Sequence, residues 1–297
     1  MSAEARPLGR PGLAVYTRPV PADRIAESLA FINWTLLTAL AAGSLAAVVA
    51  GRQLTEATKG YLGFTALSAA VFAVLAALAD TGLPALSPEL AVRADPSWEA
   101  PRRLALAAFP VIAAVYGFAL LRGRRATPIA IGGLAVAGFA LVAGAMSWGG
   151  GGLSSVLLLV ELAALAAVLG GVWAAMVLGH WYLVTPRLPE APLIRFARWL
   201  GLALVVQLAL FVAWVGLGAG PAGTPAFAAL AGPWALFVWL RLLVGLVFPL
   251  IVSWAAIQTA RTRSMESATG LLYINVGTIA AGTILAAGLY FGAGLLV

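Results

Sequence analysis

Only 10% of this 297-residue chain is charged, so the few ionisable side chains that fall inside apolar runs are the first candidates for chemistry. Glu161 lies in the run 153–184, LSSVLLLVELAALAAVLGGVWAAMVLGHWYLV, and Arg241 in the run 233–258. Each is about two turns from the same end of its run, roughly 12–15 Å at about 1.5 Å per residue. Equal depth makes an ion pair feasible, and an unpaired charge in hydrocarbon is expensive. Two readings stand at this point: a structural clamp between helices, or a proton or anion relay opening toward that end. Asn33, near the same end of the first run, is available to either.

A second group gathers at the other end. His180-Trp181-Tyr182 closes the run that holds Glu161, and Gln258, Tyr273 and Asn275 fall at the same membrane level by helix arithmetic. Tryptophan and tyrosine at such a level form the ordinary interfacial belt. The functional reading is a quinone headgroup pocket, which needs donors and acceptors for two carbonyls, aromatic walls and a group titrating near neutral pH. His180, the chain's single histidine, is the only side chain of that kind. Glu161 and His180 are 19 residues apart, about 28 Å along a helix, so they belong to two separate levels.

Absences narrow the chemistry further. Without cysteine, disulfides, thiolate zinc sites and iron–sulfur ligation within the chain are excluded. One histidine excludes a bis-histidine haem held by this chain alone, and Met146, Met176 and Met265 make poor axial partners. No metal site and no covalently held cofactor is expected, which leaves quinone as the candidate small molecule. Lys59 is the only lysine and lies between apolar runs, which excludes a retinal Schiff base. No P-loop, HExxH, GxSxG or CxxC pattern occurs in a usable context.

The elements that must position these residues follow from composition. Hydrophobic residues make up 62% of the chain and mean hydropathy is +1.00, too apolar for a soluble domain of this length. The apolar runs are continuous, not alternating, which points to helices and not to a β-barrel. The expectation is an all-α, polytopic integral membrane bundle of eight transmembrane helices over 28–297, preceded by an exposed tail over 1–27. The spans are expected at 29–50, 61–79, 104–121, 128–148, 153–184, 193–216, 233–258 and 270–296, with Pro110 and Pro249 kinking theirs.

The net charge of +7 reads as basic loops, not as a nucleic-acid footprint. Connections after odd-numbered spans carry Arg52, Lys59, Arg122, Arg124, Arg125, Arg187, Arg195, Arg198, Arg261 and Arg263, whereas those after the fourth and sixth carry none. By the positive-inside rule this puts the basic connections in the cytoplasm of a bacterial inner membrane and both termini outside. Basic pairs at matching places, RGR at 122–124 and RTR at 261–263, suggest two four-helix halves in parallel. The long connection 80–103 lies at the outer end, where it caps a pocket or docks a partner.

The segments MVLGHWYLVTPRLPEAPLIR, RLLVGLVFPLIVSW and RTRSMESATGLLYINVG resemble parts of eight-helix bacterial membrane proteins. The overall plan is similar to that of the quinol-interacting membrane-anchor subunits of the polysulfide and dimethyl-sulfoxide reductase class. That resemblance implies a cofactor-free membrane subunit of a respiratory or photosynthetic electron-transfer complex. Its partners would be the bilayer and other membrane and peripheral subunits. It carries no functional position onto this chain. The alternatives are a small-molecule or ion transporter built on Glu161 and Arg241, and a scaffold subunit without a ligand.

Overall fold

The computed structural model describes residues 21–87, 90–185, 187–221 and 223–297. Among the described residues eight helices are long and apolar enough to cross a bilayer, and no strand occurs. These spans, first to eighth, are Leu29–Leu54, Lys59–Thr81, Pro96–Leu121, Thr127–Trp148, Gly152–Val184, Ala191–Leu217, Ala235–Arg261 and Met265–Ala293. Their outward faces are apolar, as lipid contact requires: the third span exposes Leu104, Val111, Val115 and Phe118. The chain is a polytopic helical membrane bundle.

The tail expected over 1–27 falls outside the described residues for 1–20. Its last seven residues form a short helix, Pro21–Glu27, lying against the eighth span at Gly288 and Gly292.

The ends of the spans correct several expected boundaries. The third starts not at 104 but at Pro96, as a 3-10 turn running directly into Glu99–Leu121. Asp95 starts it by accepting hydrogen bonds from the Ser97 hydroxyl at 2.7 Å and the Ser97 N–H at 3.0 Å. Those bonds favour the ionised form and hold the Asp95 carboxyl below its usual range. Pro96 sits in the first turn, where a missing N–H costs nothing. Arg102 and Arg103 are therefore helical residues. Arg52, Arg195 and Arg198 likewise belong to helices that extend beyond their apolar stretches.

Contacts between spans divide the bundle into two groups of four. The first packs on the second, the second on the third, the third on the fourth, and the fourth back on the first. The fifth to eighth close a second ring in the same order. The groups meet mainly along the first and fifth spans. That seam is held at backbone distance by Gly43 and Gly170: a Cβ on Gly43 would overlap the carbonyl oxygen of Ala166, and one on Gly170 would overlap the main chain at Gly43 and Ser44. Small residues that let backbones touch are the usual adhesive between helices in lipid, where no hydrophobic force brings helices together.

The two internal prolines behave differently. Pro110 is carried inside a helix that stays α-helical throughout. Ahead of Pro249 the seventh span widens into a π turn, Leu243–Val247. Pro249 has no N–H to give to the preceding turn, and the wider turn absorbs the gap.

Candidate functional site

Arg241 lies in the last turn of the first α-helical part of the seventh span, Ala235–Leu242, just before the π turn. The seventh span packs on the sixth and eighth, yet the Arg241 side chain reaches a carboxylate on the fifth. It does so beside two glycines. Gly245, in the π turn, and Gly282, in the eighth span, approach so closely that a Cβ on either would lie about 2.5 Å from the other's Cα. The same added carbons would lie 3.1–3.2 Å from Arg241 Nη1. The guanidinium thus occupies room that exists because neither glycine has a side chain.

At its far end Arg241 Nη2 stands 3.7 Å from Glu161 Oε1, with both residues buried. The separation is too long for a hydrogen bond. Arg241 Nε donates instead to the main-chain oxygen of Val297 at 3.3 Å. Among the described residues both Glu161 oxygens and Arg241 Nη2 lack a hydrogen-bond partner. A clamp selected for stability pairs its charges closely and satisfies the remaining lone pairs and protons. This pair does neither, so it is held in position but incompletely satisfied.

Other polar atoms are orphaned near this depth. Gln207, ten residues before the end of the sixth span, has no partner for Nε2, and neither do Thr38 Oγ1 and Trp34 Nε1 in the first span. Asn33 faces outward and does not join them; its neighbour Trp34 is the buried residue. Thr278 and Thr283 bond back to carbonyls of their own helix, the ordinary fate of such hydroxyls in lipid.

Above this level, toward the end that carries the connection 80–103, lies a cluster that sequence reasoning missed. Arg102 Nε binds Asp80 Oδ1 at 2.6 Å, its Nη1 donates to Ser147 Oγ at 2.6 Å, and its guanidinium lies 4.6 Å from the Trp148 ring centre. Arg103 bridges Glu99 at 2.7 Å and approaches Asp80 at 3.6 Å. The signal that could have found it was the Asp95-Pro96 helix start, which makes Arg102 a residue of the third helix. A cavity of about 630 Å³ lies beneath the connection, bordered by Arg102, Trp148 and Phe31. A neighbouring one of about 390 Å³ shares Val92, Arg93 and Trp148 with it. Trp148 packs edge-on against Trp34, 4.6 Å between ring centres.

At the opposite end the six residues expected around a quinone face different ways. His180 Nδ1 and the Tyr273 hydroxyl meet at 3.3 Å, both on the exposed surface. Trp181 turns toward Gly60 at the start of the second span. The Tyr182 hydroxyl donates to the carbonyl of Pro189. Gln258 accepts from Arg261 at 3.3 Å. Asn275 is buried, and its amide donates to Ser253 Oγ at 2.8 Å and to the Pro249 carbonyl at 3.2 Å. The structure brings His180 and Tyr273 together and leaves the other four apart from them. No group of three or more histidine or acidic residues suited to a metal ion occurs among the described residues.

Comparison with family models, curated proteins and solved structures gives no match for this chain. Fold and site define a class: a multi-pass helical membrane protein with a buried glutamate–arginine level inside its second ring of four spans.

Proposed function

We propose that the chain is a small-molecule or ion transporter in which Glu161 is the proton-exchanging acid and Arg241 its fixed counter-charge. One observation carries the reading: a buried carboxylate with no hydrogen-bond donor among the described residues, facing a guanidinium at 3.7 Å. Intramembrane ionisable residues mark ion pathways and proton relays. The π turn beside Arg241 supports it, since transporter sites form where a spanning helix departs from regular geometry. Five cavities of about 350–630 Å³ among the described residues border neither residue, and in this reading the site is closed to both sides. The outer cavities ending on Trp148 supply the entrance. The basic end faces the cytoplasm of a bacterial inner membrane and both ends of the chain lie toward its outer side, by the positive-inside rule.

The test is proton movement in reconstituted vesicles carrying an internal pH dye. Under an imposed potential the intact chain passes protons, and Glu161→Gln slows this roughly tenfold or more, the scale of losing one proton-transfer group. A Glu161→Gln rate equal to that of the unaltered chain, with unchanged elution from a sizing column, removes the reading.

A second reading has one observation in its favour. His180 and Tyr273 form an exposed donor–acceptor pair at the bundle surface, where a lipid-soluble quinone headgroup meets it without entering the core. The chain would then be the cofactor-free membrane subunit of an electron-transfer complex, assembled with other membrane and peripheral subunits. In such a complex, isolated natively, His180→Ala lowers quinol turnover; unaltered turnover eliminates this alternative.

A further inference from the structure

At the basic end, a cavity of about 450 Å³ opens between the last turn of the first span, the third span and the first turn of the fourth. Its walls are Arg52, Gln53, Tyr116, Arg125, Thr127 and Ala130. Neither arginine has an ion-pair partner among the described residues, so two positive charges face one concavity without an acid to neutralise them. Arg52 is half-buried and Arg125 exposed.

Tyr116 makes the cavity more than a basic surface. It is 1% exposed, and its hydroxyl makes no hydrogen bond among the described residues although it borders the cavity. A buried phenol ordinarily finds a partner. Here what it faces is the cavity. Ala126, with φ of 47°, turns the chain so that Thr127 opens the fourth span, and no side chain caps that helix end. The Thr127 hydroxyl and the positive end of the helix dipole therefore join the two guanidinium groups, the Gln53 amide and the phenol. Every one of these groups can donate a hydrogen bond, and no carboxylate is among the residues lining the cavity.

We propose that this cavity binds a phosphate oxyanion, with Arg52 and Arg125 as the charged clamp and Tyr116 as the donor from the protein side. Two guanidinium forks suit phosphate oxygens better than carboxylate, since a tetrahedral anion accepts from several directions at once. The pocket sits where a span meets the basic end, so the anion comes from a phospholipid headgroup or from soluble phosphate. Basic pockets between membrane helices at such a face are a recognised form of lipid site. The inference is independent of Glu161 and of the transport reading.

The full-length chain is purified in detergent, offered phosphatidylglycerol, cardiolipin or phosphatidylcholine, and weighed intact by native mass spectrometry. A parallel arm measures the thermal shift with inorganic phosphate and no lipid. Selective retention of the anionic lipids identifies the headgroup as the ligand, and a phosphate-dependent shift without lipid preference identifies the soluble ion. One juxtamembrane arginine contributes about fivefold to anionic lipid binding, so Arg52→Gln with Arg125→Gln lowers retention about 25-fold. The pair Arg187→Gln with Arg198→Gln removes equal charge from the same end, outside the cavity, and leaves it nearly unchanged. Tyr116→Phe, which removes only the hydroxyl, weakens retention several-fold without unfolding risk. Equal losses from the two arginine pairs, or no ligand in either arm, overturn the proposal.

Discussion

Gly170→Ala is expected to be among the most damaging single-methyl additions in this chain. The new carbon would overlap the main chain of the first span at Gly43 and Ser44, and backbone cannot step aside as a flexible side chain can. Adding carbon to a well-packed interior costs about 1–3 kcal/mol, and a clash against two main-chain segments lies at or above that upper figure. For a chain of this size that corresponds to a fall in melting temperature on the order of 6–12 °C. Gly132→Ala is the control, because its added carbon meets nothing within 4 Å and alanine favours the helix by about 1 kcal/mol. Thermal unfolding followed by fluorescence in detergent compares the two. If Gly170→Ala melts with Gly132→Ala, the close seam between the halves is not what joins them.

The second large effect concerns the charged level. Arg241→Gln leaves Glu161 buried without a counter-charge, and breaking one side of a buried pair costs about 3–5 kcal/mol. Glu161→Gln strands Arg241 in the same way. Arg241 keeps its bond to the main-chain oxygen of Val297, so the second loss is the smaller. The double variant carries neither charge, and its cost falls below the sum of the two by about 1–3 kcal/mol, the coupling expected of residues in contact. Denaturant or thermal unfolding of all four proteins measures that difference. Strict additivity would mean that the two charges, although 3.7 Å apart, do not act on one another. The cycle also separates stability from transport: Glu161→Gln can keep its fold and still lose proton movement.

The pair itself illustrates what helix arithmetic can and cannot reach. Counting residues from the ends of two apolar runs gave Glu161 and Arg241 equal depth, because rise per residue is constant. The count was silent on direction, and silent on Gly245 and Gly282, whose missing side chains leave Arg241 its room. The inner group shows the same limit from the other side. His180 and Tyr182 share a level but are two residues apart, about 200° around the helix, and so are Tyr273 and Asn275. One of each pair meets at the surface, while Tyr182 goes to Pro189 and Asn275 to Ser253. Depth alone had grouped all of them.

Arg102 was misplaced for a different reason. Asp80 and Arg102 stand at the two ends of a polar, proline-containing stretch that reads as a connection. The Asp95-Pro96 start was legible in it, but the buried bridge across that end of the bundle depends on the second and third spans being neighbours.

The sequence by itself determined the class of this protein, the number of its spans, the end at which its basic residues collect and the common depth of Glu161 and Arg241. Each of these depends on composition and on distance along the chain. Tertiary structure alone decided how the two expected groups of four close into rings, the glycine seam between them, the π turn beside Arg241, and which side chains at one level meet. In lipid every face of a spanning helix is apolar, so hydrophobic periodicity carries little information about direction. Direction is set by close packing of small residues and by the few polar groups that must find each other.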